Sequence, residues 1–163
     1  MDLRIIPADL KYIEEFHSAL DFVAREEKYI LMLQAPPLES VKDFVAKNIE
    51  KKVPQVFALV DDKLVGWADV SPFIRETINH RGQLGMGILP SYRGKGIGTL
   101  LLKEVLKLSK ERGLEKVELE VYKSNSAAFA LYKKLGFEEQ GILKKGRKLR
   151  GQYEDMVLMG LFL

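Results

Sequence analysis

The sequence predicts an α/β domain in which a mixed sheet lies between helices. Three observations carry this: apolar runs of strand length alternate with stretches of helical periodicity, glycines and prolines mark the ends of both, and a glycine-rich turn joins a strand to a long helix. The element order reads β-α-α-β-β-β-α-β-α-β-β, and a right-handed β-α-β crossover joins its central strands. At 163 residues the chain suits a single domain with a real core.

Residues 3–6 form a short strand closed by Pro7. Asp9 is placed to cap a helix over residues 10–28, whose apolar stripe is Ile13, Phe16, Leu20, Val23 and Ala24. The apolar run Tyr29-Ile30-Leu31-Met32-Leu33 precedes Ala35-Pro36-Pro37, which must be loop. Core packing is the favoured expectation for that run, with the wall of an acceptor pocket as the second. Ser40 is read as the cap of a second helix over residues 41–51, with Val41, Phe44, Val45 and Ile49 on its apolar face. Residues 56–60 and 64–70 flank Asp61-Asp62-Lys63 and read as a hairpin. Residues 71–79 read as a loop.

Residues 81–89 form the central strand. Leu84, Met86 and Ile88 alternate with Gly85 and Gly87, a pattern suited to a strand that something approaches closely. Pro90 ends it, and the helix after the glycine-rich turn runs to a stop at Gly113. A strand over 117–122 follows, then a helix from Ser124-Asn125-Ser126 to Gly136. Residues 137–143 and 152–161 form two last strands, with the basic run 144–150 as the hairpin tip.

Composition narrows the function. The chain is 47% hydrophobic and 30% charged, with a formal net charge of +3, which allows an acidic cofactor without arguing for nucleic acid. It has no Cys, which excludes disulfides, a catalytic thiol and thiolate metal sites. His17 and His80 are too few for a convincing zinc site, so no metal is expected. No apolar run approaches a membrane span, and the N-terminus lacks the layout of a signal peptide. A cytoplasmic enzyme or binding domain is the expectation. The apolar stretch 156–163 suits either the core or a subunit contact, as in a homodimer.

The most informative stretch is Arg93-Gly94-Lys95-Gly96-Ile97-Gly98-Thr99. Unshielded backbone N–H groups at a helix start attract a phosphate, and Arg93 and Lys95 add charge. The spacing fits neither the P-loop nor the dinucleotide fingerprint, since Gly96 follows Lys95 and Thr99 stands where a last glycine should be. With Arg93, Gly96 and Gly98 in a Q/R-x-x-G-x-G/A pattern, the loop resembles the acetyl-CoA pyrophosphate loop of the GNAT superfamily of N-acetyltransferases. A second stretch, VELEVYKSNSAAFALYKKLGFEEQ at 117–140, is also similar to that superfamily, and within it to acetyltransferases of ribosomal-protein N-termini and of small amines.

The resemblance implies a GNAT fold with a splayed central strand pair, and acetyl transfer from acetyl-CoA to a primary amine by direct attack in a ternary complex. The amine would be a protein N-terminus, an amino acid or another small amine. The implied cofactor-binding residues are Ile88, Leu89, Arg93, Gly94, Lys95, Gly96, Ile97, Gly98, Thr99, Asn125 and Tyr132. Tyr132 is implied as the acid that protonates the departing thiolate. Glu120 or a water chain would take the amine's proton, and a backbone N–H near Ile88 or Leu89 would steady the oxyanion. Residue by residue, Tyr132 could instead be a core tyrosine, Glu120 a solvated carboxylate, Asn125 a helix cap and His80 a surface histidine. The basic run could be a solvated tip, a nucleic-acid contact or a selector of acidic acceptors. Alternatives for the whole chain are an acyl-CoA sensor without turnover and an RNA-associated protein.

Overall fold

The computed structural model describes all 163 residues. One seven-stranded sheet runs in the order β1-β2-β3-β4-β5-β7-β6. The strands are β1 (Leu3–Pro7), β2 (Gln55–Val60), β3 (Lys63–Pro72), β4 (Arg81–Ile88), β5 (Lys116–Tyr122), β6 (Glu138–Leu149) and β7 (Gln152–Phe162). Helices α1 (Ile13–Arg25), α2 (Leu38–Glu50), α3 (Ile97–Glu111) and α4 (Ser126–Lys134) complete the predicted order. All neighbouring strands are antiparallel except β4 and β5, which the α3 crossover makes parallel.

Each face of the sheet has its own core. On one side α3 buries Ile97, Leu101, Leu102 and Val105 against Val56, Ala58, Ala68 and Val117. On the other, α1 and α2 bury Phe16, Leu20, Val41 and Val45 against Phe57, Leu59 and Trp67. Strand alternation delivers odd and even residues of β2 to opposite layers, which is why the whole strand is buried.

Local punctuation behaves as its chemistry dictates. Asp9 caps a 3-10 turn over Leu10–Tyr12 that leads into α1, its carboxylate accepting from the Lys11 N–H at 2.9 Å. Gly113 and Gly136 take φ of 98° and 96° after α3 and α4, a region that suits glycine. Asp61 and Asp62 both adopt positive φ in the β2–β3 turn, as a two-residue hairpin demands.

Several expectations are corrected. Helix α2 starts at Leu38 after Pro37, so Ser40 lies inside its first turn and caps nothing. Its buried face is Val41, Val45 and Asn48, while Phe44 and Ile49 are exposed; Asn48 goes inward because its amide donates to Gln55 Oε1 at 3.0 Å. The run 29–33 is not core: Leu31 is 65% exposed and Leu33 49%. The basic run is not a hairpin tip either. Strand β6 continues to Leu149, and the turn is Arg150-Gly151, both at positive φ. Residues 156–159 of the C-terminal stretch, on β7, supply Met156, Val157 and Met159 to the interior.

Candidate active site

The fork between β4 and β5 organises the site. Their parallel pairing covers only Arg81↔Lys116, Gly82↔Val117 and Gln83↔Glu118. Arg81 clamps this closed end, donating to both Glu118 oxygens at 2.7 and 3.0 Å, with Lys116 3.4 Å from the same carboxylate. Beyond Gln83 the strands part. Strand β4 stays zipped to β3 as far as Gly66↔Ile88, and the Leu89 N–H donates to the Val65 carbonyl at 2.8 Å. In an antiparallel ladder this makes Gly66↔Ile88 a non-hydrogen-bonded pair, so the Ile88 N–H faces away from β3 into the fork, and Met86 repeats the orientation. The Leu89 N–H is thus already spent and cannot steady an oxyanion, whereas that of Ile88 is suitably directed.

Two cavities open on this fork. The smaller, about 350 Å³, is lined by Ile88, Arg93, Gly94, Gly96, Gly98, Thr99, Asn125 and Tyr132, together with Met86, Gly87, Leu131 and others. Gly96 precedes α3 at φ 83°, and a side chain there would meet nothing within 4 Å, so the loop's backbone is bare. Gly98 lets α4 pack closely: a Cβ would stand 2.9 Å from Leu131 Cδ2, which would have to shift. Asn125 caps α4 by accepting from the Ala128 N–H at 3.3 Å and also lines this cavity, so structural and site positions coincide.

Three sequence candidates lie outside its lining. Leu89 packs against the α1–α2 layer, Ile97 at the start of α3 is buried in the core, and Lys95 is exposed with its ammonium 5.6 Å from the Tyr92 ring centre. Arg93 is at the cavity but already engaged. It donates to the Ile88 carbonyl at 2.8 Å, pairs with Glu26 at 2.6 Å and stacks 4.4 Å from the Tyr29 ring centre. It therefore ties the loop to the end of α1 as well as adding charge.

The larger cavity, about 500 Å³, lies on the other side of the fork. Its walls are mostly apolar, from α1, α2, the 29–32 segment and Trp67, with Asp69, Glu120, Gln83 and Ser40 among the polar groups. No Lys, Arg or His lines it. The run 29–33 thus finds its place as pocket wall. Glu120, exposed, reaches this cavity; Glu118, its neighbour on the same strand face, is taken by Arg81 and Lys116. His80 lies at the start of β4, exposed and outside both cavities.

Tyr132 alone joins the two compartments from α4: it lines both, together with Tyr29 and Met86 from the rim and the fork. Its side chain is 8% exposed, and burial pushes the phenol's pKa well above the usual range. A proton is thereby held beside the fork at neutral pH.

Sequence reasoning missed Asp69. It stands on β3 directly opposite Gly85, and burial without a charged partner raises its carboxyl to about 7. The signal was the glycine pair: Asp69 lies over Gly85 and Trp67 fills the space that Gly87 leaves, both side chains reaching across β4. A Cβ at position 87 would stand 2.2 Å from the Trp67 ring.

A family model for the acetyltransferase (GNAT) family matches residues 16–137. The chain belongs to the GNAT acetyltransferase family. It is 38% identical over 105 residues to a [ribosomal protein bS18]-alanine N-acetyltransferase of Haemophilus influenzae, covering 63% of this chain and 68% of that one. It is 40% identical over 127 residues to an N-alpha-acetyltransferase of Sulfurisphaera tokodaii, covering 71% and 73%. A crystal structure of a GNAT-family acetyltransferase from Streptococcus pneumoniae superposes with a TM-score of 0.93 at 27% identity, over 99% of this chain and 100% of that one. The GNAT chain described here is accordingly an acetyl-CoA-dependent N-acetyltransferase.

Proposed function

We propose that the protein transfers acetyl from acetyl-CoA to a primary amine carried on an apolar body, a peptide N-terminus before a free acidic amino acid, by direct attack in a ternary complex. The observation that carries the reading is the meeting of two cavities at Tyr132 across an open strand fork. The diphosphate rests on the bare backbone at 94–99, with the α3 dipole behind it. The pantetheine arm runs along the free edge of β4 as an added strand, using the backbone groups of Met86. This puts the thioester in the fork, where the Ile88 N–H serves the oxyanion and the Tyr132 phenol serves the leaving thiolate.

The acceptor preference follows from the larger cavity's lining. Aromatic and aliphatic walls suit an apolar side chain, and carboxylates without cations suit an ammonium while repelling a free carboxylate. The basic run does not offset this. Arg147 and Arg150 engage Glu27, and Lys145 and Lys148 lie over the Tyr153 ring, so none of them lines the cavity. The two relatives, named for alanine of a ribosomal protein and for N-alpha acetylation, agree in class.

Titration calorimetry with acetyl-CoA, followed by thiol release over an amine panel and mass spectrometry of the products, tests the reading. Saturable binding and faster turnover of leucinamide than of glutamate are expected. Binding without thiol release from any amine would favour a sensor, and no saturable binding would overturn the reading.

A further inference from the structure

Asp69 is half-buried in the wall of the larger cavity and takes part in none of the chain's ion pairs. Isolated carboxylates in apolar surroundings are costly, and β3 is held in register on both sides, by Gln55 of β2 and Gly85 of β4, so the group cannot swing out by a strand slip. Gly85 has no side chain, and the Asp69 oxygens stand 3.6 and 3.8 Å from where its Cβ would be. The carboxylate therefore leans over β4 toward the fork, in the wall of the larger cavity.

Resting on the acetyl-transfer reading above, we propose that Asp69 is a catalytic residue that receives the acceptor's ammonium and takes its proton before attack. Glu120, exposed at the same cavity, then draws the ammonium inward and is not the proton acceptor. The groups facing Asp69 around the cavity are Glu120 from β5, the phenols of Tyr29, Tyr122 and Tyr132, and otherwise uncharged side chains. With its carboxyl raised to about 7, Asp69 is matched to an α-ammonium, whose pKa is about 7.7–8, and mismatched to a lysine-type ammonium at about 10.4.

The step balances. The ammonium gives one proton to an Asp69 oxygen, and the freed nitrogen lone pair forms the C–N bond at the thioester carbonyl. The C–S bond breaks, and the sulfur takes the Tyr132 proton. The second nitrogen proton restores the phenol through solvent, and Asp69 returns its own to bulk water, so one proton is released per turnover.

Trp67, the single tryptophan, lies two residues away on the same strand face and lines the same cavity, which supplies a readout independent of activity. Its fluorescence in the free protein should show a transition centred near pH 7, kept in Glu120→Gln and lost in Asp69→Asn. At pH 8, leucinamide should perturb Trp67 in the wild type and not in Asp69→Asn. Where thiol release is followed, Asp69→Asn should lower kcat/KM for leucinamide at least about 100-fold and move its acidic limb up to the amine's own pKa of about 7.7–8, while acetyl-CoA still binds. Undiminished kcat/KM with an unmoved acidic limb in Asp69→Asn, or a wild type showing neither Trp67 signal, overturns the proposal. Failure of the wild type to bind acetyl-CoA would instead remove the acetyl-transfer reading, while the Trp67 titration still reports on Asp69.

Discussion

Tyr132 and Asp69 are opposite uses of one physical lever, burial acting on a titratable group. For the phenol, burial secures the proton; for the carboxyl, it raises affinity for one. Tyr132→Phe keeps the ring packing against Phe137, at 5.6 Å between centroids, and removes only the hydroxyl. Turnover should fall about 10²–10⁴-fold in steady-state assays, with acetyl-CoA affinity by calorimetry little changed. Asp69 also has a stability consequence with a definite sign. A carboxyl whose folded pKa lies above its unfolded value near 3.9 favours folding most below that value, and the contribution is lost as pH rises toward about 7. Asp69→Asn should therefore unfold at higher denaturant than the wild type at pH 8, by roughly 1–3 kcal/mol, and the gap should close at pH 4. A gain at pH 4 equal to that at pH 8 would mean the charge is not what costs stability. Why Asp69 escaped a reading of the sequence is plain from its pairing. Along β3 it is one polar residue in an alternating strand, and what makes it chemical is Gly85, on the neighbouring strand and legible as a partner only once register is known.

At the scale of elements, the frame was legible because its signals are local. Pro7, Pro90, Gly113 and Gly136 end their elements through backbone restrictions that need no tertiary partner. What failed were features decided at a distance. The run 29–33 is apolar enough for a core, but the neighbours that would cover it stand back to leave a cavity. The basic run looked like a tip because its partner strand, β7, lies beyond the turn. The fork itself belongs to this scale. Its glycines were read as a place for close approach, and Gly87 proves to be occupied by the chain's own Trp67. Gly87→Ala should accordingly push that ring off β4, costing about 1–3 kcal/mol in chemical denaturation. A shift in Trp67 emission should accompany it. Gly96→Ala has free space, so only the φ of 83° opposes it; a loss of about 1 kcal/mol with weakened acetyl-CoA binding is expected.

Across the whole molecule, the larger cavity exists because two parts far apart in sequence are held together over it. Glu27, at φ 60° just past α1, accepts from Arg150 through both carboxylate oxygens, and its carbonyl accepts from Arg147. Arg147 also lies 4.4 Å from the ring centre of Tyr122, a cavity-lining residue. Beside this clasp, Arg93 joins Glu26 to the loop before α3, and His17 contacts the Pro36 carbonyl at 2.8 Å at the far end of the same segment. The 26–36 segment is thus anchored to the β6–β7 hairpin, to the cofactor loop and to α1, while its own side chains stay largely exposed. Opposed charges near water contribute little to global stability but can hold a surface segment in place. Glu27→Ala should leave the unfolding midpoint nearly unchanged and speed amide exchange over residues 28–36. Because that segment walls the acceptor side and touches the cofactor cavity mainly through Tyr29, KM for the amine should rise while acetyl-CoA affinity holds. Raising salt in the wild type should move KM in the same direction, since exposed ion pairs are screened. A salt response equally large in Glu27→Ala would show that the clasp does not shape the acceptor pocket.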